Sequence, residues 1–276
     1  MGTLYLVATP IGNLEDITLR AIRILGEVSL VAAEDTRRTG KLLKHYNIQT
    51  MLTSFHEHNR NEKLQLILSK LDEGDVALVS DAGTPAINDP GYDLVKAAIA
   101  AGFPISPVPG PSAPIAALVA SGLPPDAFLF LGYMPRKKQD RRALLDDLLE
   151  MPYTMVILET PHRLIATLSD LLEVFGNRTI CVAREITKLH EEFFRGQIAE
   201  AHHYFTETIP RGEVTLVISG KPDIAEVWPE RKLTTELRNA MHKDIPPSQI
   251  AAKLARQSGW KKSEVYKMLL ELQSEI

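Results

Sequence analysis

Three stretches of this chain join glycine, proline and short polar side chains directly after apolar runs: TPIGNLEDIT (9–18), DAGTPAINDPG (81–91) and PGPSA (109–113). Glycine lets a ligand approach backbone amides closely, and the small polar residues turn the chain while offering hydrogen-bonding groups. The middle stretch spends roughly a dozen residues where two to six normally join a strand to a helix. An oversized loop on an economical frame is usually there to hold something. The standard phosphate readers are missing, since no G-x-x-x-x-G-K-[ST] occurs and no G-x-G-x-x-G follows the first apolar run. The loops hold no lysine and present Asp81, Asp89 and backbone groups instead. That chemistry suits a ligand with a cationic end and hydroxyls better than a polyphosphate.

A second constellation carries acid–base groups. EDTRRTGK (34–41) sets Glu34 and Asp35 beside Arg37, Arg38 and Lys41, and SFHEHN (54–59) places His56 and His58 two residues apart. On a strand that spacing points both rings the same way. No further metal-ligating partners stand nearby, so no metal site is expected.

The elements that must position these groups read as a strand–helix alternation. Strands are expected at 3–8, 28–33, 75–80 and 104–109, with helices at 17–25, 37–46, 60–73 and 91–101. This implies parallel pairing in a layered α/β domain, whose ligands bind beyond the carboxyl ends of the strands, where all three glycine loops fall. A small-residue helix within 109–122 marks a boundary. A second set of strands follows at 127–132, 153–159, 179–185 and 213–219, with helices at 139–150 and 162–175, and a hairpin or short helix within 186–212. DIAEVWPE (223–230) reads as a linker. Helices at 232–242, 247–257 and 262–273 then make a helix-turn-helix-like tail, with Gly259 in a turn and Ser263 capping the last helix. The expected organisation is an α/β domain at 1–115, a second at 116–222 and an all-α appendage at 230–276.

Composition agrees with a globular chain: 45% of the 276 residues are hydrophobic and 24% charged. No apolar run is long enough to span a membrane, and no basic-then-apolar leader opens the chain, so a cytoplasmic protein without membrane contact is expected. Cys181 is the only cysteine, which excludes an internal disulfide. The net charge of −4 gives no overall attraction to nucleic acid. Three local patches are basic nonetheless: Arg37, Arg38, Lys41 and Lys44; Arg136, Lys137, Lys138, Arg141 and Arg142 around Asp140; and the tail from Pro229, with nine Lys or Arg against six Asp or Glu. Together they point to an anionic partner.

LYLVATPIGNLEDIT, AAEDTRRTGKLL, ALVSDAGTPAINDPGYDLV, VPGPSA, LETPHR, AREITKLHEEFFRG and GEVTLVISG, in that order, resemble the tetrapyrrole methylase family of S-adenosylmethionine-dependent enzymes, and within it a branch that methylates a ribose 2′-hydroxyl. The resemblance spans about residues 3 to 220. It implies a two-domain class III methyltransferase fold, a homodimer, S-adenosyl-L-methionine as cofactor, and as substrate a cytidine in the decoding region of 16S rRNA within the 30S subunit. It places cofactor contacts at Pro10, Ala82, Gly83, Thr84, Ile87, Ser112, Ala113, Glu159, Ala183, Val214 and Thr215. Asp81 either faces the cofactor's cationic groups or caps a turn. The proton of the acceptor hydroxyl has candidate receivers or stabilisers in Glu34, Asp35, Arg37 and His56, with His58 beside them, and the residues do not choose among them. Two other readings stand: a methylase of the same fold acting on a small molecule or a protein side chain, and a non-catalytic RNA-binding protein that works through its tail.

Overall fold

The computed structural model describes residues 1–208, 210–221, 228–241 and 245–274, for 256 and 274 the backbone alone. The chain forms two compact units, Met1–Lys221 and Pro222–Ile276. The first opens with β1 (Leu4–Val7), a 3₁₀ turn (Leu14–Asp16), α1 (Leu19–Glu27), β2 (Leu30–Ala33), α2 (Thr36–His45), β3 (Leu52–Ser54) and α3 (Arg60–Glu73). It continues through β4 (Val76–Val79), α4 (Gly91–Ala100), β5 (Ile105–Val108) and α5 (Ala113–Ser121). These five strands make an entirely parallel sheet in the order β3-β2-β4-β1-β5.

The central strands β2 and β4 are buried throughout, which is why they read as unbroken apolar runs rather than alternating ones. Alternate residues still serve opposite faces. Val31, Ala33, Ala77 and Val79 pack with Ala21, Ile24 and Leu25 of α1 and Leu42 and Leu43 of α2. Leu30, Ala32, Val76 and Leu78 pack with Ile67 and Leu71 of α3 and Leu94 and Ala98 of α4. Since β4 lies between β1 and β2, and its following helix covers the face opposite to α1 and α2, the chain parts on both sides of the loop after β4. Such a switch point leaves a crevice at the carboxyl edge.

The second sheet uses β6 (Phe128–Tyr133), β7 (Thr154–Glu159), β8 (Thr179–Arg184), β9 (Glu192–Gln197) and β10 (Val214–Ile218), with α6 (Lys138–Leu148), α7 (Pro161–Phe175) and α8 (Ile198–Glu207) between them. Its order is β6-β7-β10-β8-β9, parallel only between β6 and β7. The three helices cover one face around Leu145, Leu164, Leu168, Leu171, Ile198 and Phe205. Ala117 and Leu118 of α5 cover the other, against Val156, Cys181, Ala183 and Val217. The stretch 186–212 supplies both expected alternatives, an antiparallel strand and then a helix.

The tail folds on a core of its own. Leu233 and Leu237 of α9 (Glu230–Met241), Ile250, Ala251 and Leu254 of α10 (Pro247–Ser258) and Val265 and Leu269 of α11 (Lys262–Ser274) are buried together, with Met268 and Leu272 partly so. Gly259 takes the left-handed conformation, φ 69°, that ends α10. Ser263 lies inside the first turn of α11 rather than at its cap, and the amide of Lys261 donates to the Glu264 carboxylate instead. Most of the linker expected at 223–230 and the end of the helix expected at 232–242 lie outside the described residues.

Candidate active site

The loop after β4 is held in a conformation that ordinary sequences avoid. Gly83 has φ 80°, and Ala86 and Asn88 are also left-handed at 68° and 60°. Two constraints maintain it. Gly83 exchanges both backbone hydrogen bonds with Thr9, at 2.9 and 3.0 Å, which ties the loops after β1 and β4 together. One carboxylate oxygen of Asp89 accepts the amides of Ala86 and Gly91, at 2.9 and 2.8 Å. Asp89 is therefore the loop's internal brace. Thr84 donates to the carbonyl of Pro111 and draws in the third glycine loop.

Between these loops and the second sheet lies a cavity of about 680 Å³ including its open mouth. Its apolar walls are Ile11, Ile87, Leu158 and Val214; Thr84, Ser112, Thr215, Tyr133, Glu159 and Glu213 give it polar ones, and Ala82, Gly83, Ala113 and Pro114 complete it. Ser112 precedes α5, whose first residues Ala113 and Pro114 line the cavity beside it. Glu159 is 2% exposed yet fully engaged: its carboxylate accepts from the amide of Thr160 at 2.8 Å and the hydroxyl of Thr167 at 2.6 Å, and pairs with Arg163 at 3.3 Å.

Nine of the expected cofactor contacts line this one cavity: Ala82, Gly83, Thr84, Ile87, Ser112, Ala113, Glu159, Val214 and Thr215. Pro10 and Asp81 line an adjoining groove with Thr9, Leu14, Arg38, Lys41 and Ser80. Asp81 accepts the Asp35 amide at 3.0 Å and pairs with Arg38 at 3.2 Å, so its carboxylate joins two strand ends. Ala183 does not reach the cavity. It pairs with Thr215 on the next strand and is sealed beneath α5. Ile11, Pro114, Tyr133, Leu158 and Glu213 line the cavity without having been singled out by residue type, because their placement depends on how two distant segments meet.

Lys188 holds the cavity's edge. Its ammonium pairs with Glu185 at 2.9 Å and Glu213 at 3.2 Å, and its stem lies across Gly12, where any Cβ would come within 2.4 Å of it. The hydroxyl of Thr187 donates to Asp16 at 2.5 Å. Two contacts thus join the first glycine loop to the β8–β9 connection.

The acid–base candidates separate by role. Asp35 caps α2, accepting the Arg37 amide at 2.8 Å and two guanidinium bonds at 3.1 and 2.7 Å. These bonds hold its carboxyl well below the usual range, and neither Asp35 nor Arg37 lines the cavity or the cleft beside it. Glu34 does line that cleft, with His56, Glu57, His58, Arg60, Asn88, Asp89, Tyr92 and Asp93. Burial raises its pKa; the hydrogen bond from the Asp81 amide opposes it, but the negative charges of Asp81 and Asp89 add to the upward push, Arg38 pulls down least, and the net shift is upward. The two histidines are not on a strand, so the spacing that would align their rings there does not apply. β3 stops at Ser54, and Asn59 turns the chain by accepting the His56 amide at 2.9 Å and donating to the Ser54 hydroxyl at 2.8 Å. His56 Nδ1 is buried without a hydrogen-bond partner among the described residues, and the two ring centroids stand 6.0 Å apart.

The basic run at 136–142 is reassigned. Arg141 is buried and donates to Asp170 at 2.7 Å; Arg142 joins the same carboxylate at 3.0 Å and also pairs with Glu173; Lys138 stands 3.7 Å away. Three of its five cations thus anchor α6 to α7.

A parallel five-stranded sheet and a mixed five-stranded sheet that share a ligand-sized cavity define a two-part α/β fold of the methylase kind. The chain belongs to the tetrapyrrole methylase family: the model for Tetrapyrrole (Corrin/Porphyrin) Methylases matches residues 3–202. It is 48% identical, over the whole of both chains, to the ribosomal RNA small subunit methyltransferase I of Synechocystis sp.. It is 51% identical to the protein of that name from Thermotoga maritima, all of which aligns with 80% of this chain. Among solved structures it resembles uroporphyrin-III-C-methyltransferase from Thermus thermophilus (TM-score 0.55, 24% identity, 80% of this chain and 95% of that one). It also resembles cobalt precorrin-4 methyltransferase (TM-score 0.60, 16% identity, 79% and 94%). A further Thermus uroporphyrin-III C-methyltransferase structure is described as a complex with S-adenosyl homocysteine (TM-score 0.56, 20% identity, 79% and 97%).

Proposed function

We propose that this protein transfers a methyl group from S-adenosylmethionine to the 2′-hydroxyl of a cytidine in the decoding region of 16S rRNA, acting on the 30S subunit in the cytoplasm as a homodimer. The observation that carries this reading is the convergence of nine expected contacts, from both sheets, on one cavity. The relatives at 48% and 51% identity, both named for the small subunit's ribosomal RNA, support the substrate.

The cavity suits the cofactor chemically. Ile87 and Val214 offer apolar walls to a purine, Thr84, Ser112 and Thr215 offer hydroxyls, and Glu213 sets a partly exposed carboxylate near a cationic end. Gly83 brings backbone to the cavity wall in a left-handed conformation that other residues rarely adopt. When bound, the cofactor supplies an electrophilic methyl group on a sulfonium. The protein's share is alignment, worth up to about 7–11 kcal/mol in favourable cases, and removal of the hydroxyl proton, worth about 10²- to 10⁴-fold. Glu34 best fits the second task. Its carboxyl is half-buried, faces the open cleft, and is shifted toward the range where a base works near neutral pH. Asp35 and Arg37 keep α2 in place behind it.

We further propose that 1–115 and 116–222 act as two domains around the cofactor, and that the helical unit at 230–276 is an auxiliary ribosome-binding module. The deciding experiment is methyl transfer to 30S subunits that lack the modification, with the product nucleoside analysed for 2′-O-methylcytidine. Methylation of a base, or transfer only to a tetrapyrrole or a protein side chain, overturns the substrate assignment while keeping the methylase.

A further inference from the structure

Tyr133 was singled out by no motif, yet an irregularity in β6 aims it at the cavity. Leu129 and Leu131 pack into the helix-covered core of the second sheet, and Phe130 packs on the opposite face. Strict alternation would send Tyr133 after the two leucines. Instead the register steps from Phe130↔Val156 to Gly132↔Ile157, which leaves Leu131 as an extra residue and sets Tyr133 opposite Leu158, a cavity wall. Bulges of this kind re-aim side chains beside active sites. This one depends on Gly132, whose φ is 63° and against which Asn88 packs so closely that a Cβ would lie 2.5 Å from its side-chain nitrogen. Asn88 itself is left-handed within the loop after β4 and lines the Glu34 cleft. The bulge and the strained loop therefore lock together at the boundary between cavity and cleft.

The Tyr133 hydroxyl has no hydrogen-bond partner among the described residues, and the side chain is 52% exposed. The titratable groups acting on it are carboxylates: Glu213 and Glu159 from the cavity and Glu34 from the cleft. A phenol in that setting stays protonated, and its hydroxyl is left to bond to whatever enters the cavity.

Building on the methyl-transfer reading, we propose that Tyr133 contacts the methyl-accepting hydroxyl, its own hydroxyl hydrogen-bonding to the acceptor oxygen and orienting that oxygen for attack. The new C–O bond forms as the C–S bond breaks, with that electron pair going to sulfur. The acceptor oxygen gives its proton to the general base, the role proposed above for Glu34, and Tyr133 stays neutral throughout.

The test is Tyr133→Phe, which keeps the ring and removes only the hydroxyl. Single-turnover methylation of 30S subunits, at saturating cofactor, should fall by about tenfold or more. Calorimetric affinity for S-adenosylhomocysteine should stay within about twofold. The ultraviolet difference titration between wild type and variant should show one phenol ionising above the ordinary value of about 10, because burial and the three carboxylates oppose its charge. A wild-type rate in the variant overturns the proposal. So does a loss of affinity that accounts for the rate loss, which would make Tyr133 a mere wall, and so does a phenol that ionises at the ordinary value. Wild-type protein that transfers no methyl group to 30S subunits overturns the functional reading itself, an outcome distinguishable from the others because it needs no variant.

Discussion

Two acidic hubs in this molecule look alike in sequence and differ in physical state. Around Asp170, arginines surround one buried carboxylate: Arg141 and Arg142 donate to it directly, and Lys138 stands near. Burial alone would raise the Asp170 pKa, but the bonds from Arg142 and Arg141 outweigh it and hold the carboxyl below its ordinary value. Around Glu34 the balance is reversed. Asp81 and Asp89 add negative charge that Arg38 offsets only in part, one oxygen of Asp89 is buried without a hydrogen-bond partner among the described residues, and burial pushes both Glu34 and Asp89 upward. The first hub is satisfied, and its charges hold two helices together. The second is underpaired at the mouth of a cleft, a state that costs stability and leaves groups able to take up a proton.

Removing Asp170 should break this comparison most severely. Asp170→Ala strands the buried Arg141 guanidinium, and losing one partner of a buried pair costs about 3–5 kcal/mol. Urea unfolding should show that loss with little change in cofactor affinity per folded molecule. A variant as stable as wild type would mean that Arg141 finds other partners.

Glu34→Gln should do the opposite. Single-turnover methyl transfer should drop about a hundredfold, or about 2.7 kcal/mol of barrier, while unfolding stability holds or rises. An unaltered rate would move the proton-accepting role elsewhere, with His56 next in line because its buried Nδ1 has no hydrogen-bond partner among the described residues.

The tail offers a third kind of charge, exposed and unburdened by packing. Lys261 just before α11, and Lys262 and Lys267 on it, are exposed, whereas Val265 and Leu269 of the same helix are buried. Ending the chain at Lys221 should preserve cofactor binding and weaken binding to 30S subunits about tenfold. The dependence of log affinity on log salt should flatten by about 0.7–0.9 for each phosphate that the shortened protein no longer neutralises. An unchanged slope, measured by filter binding across salt concentrations, would remove the tail from the RNA interface.

The smallest effect separates the hubs by pH. A carboxyl whose folded pKa is raised contributes stability below its unfolded pKa and loses it as pH climbs through the folded value; one whose folded pKa is lowered contributes above its unfolded pKa and loses it as pH falls. Asp89→Asn keeps an oxygen for the Ala86 and Gly91 amides but removes the titration. It should match wild type near pH 3 and exceed it at pH 7, by less than about 1 kcal/mol. Removing the Asp170 carboxyl should instead blunt the loss of stability on acidification. Thermal melts across pH read both signs, and a common sign for the two would erase the distinction.

Much of the frame was legible from residue order. Apolar runs punctuated by glycine loops announced the parallel sheet, because its central strands are buried on both faces and need no alternation. The spacing of Val265, Met268, Leu269 and Leu272 announced the inner face of the last helix for a similar reason, since a 3.6-residue period leaves its trace in composition alone. β3 escaped because three half-buried residues carry too little pattern.

By itself the sequence determined the elements, the three glycine loops that line the cavity, and the residue types at its walls, since these depend on local backbone freedom and short-range periodicity. The tertiary structure alone decided which charges remain available for chemistry. Arg141 and Glu34 both stand in charged runs. Whether a run ends at a buried counter-ion or at an open cleft depends on segments dozens of residues away: Asp170 on α7 for the one, Asp81 and Asp89 after β4 for the other. Tyr133 was settled in the same way, by an extra residue in a strand whose register exists only once β7 lies beside it. Long-range pairing and desolvation set these outcomes, and neither is a property of neighbouring residues.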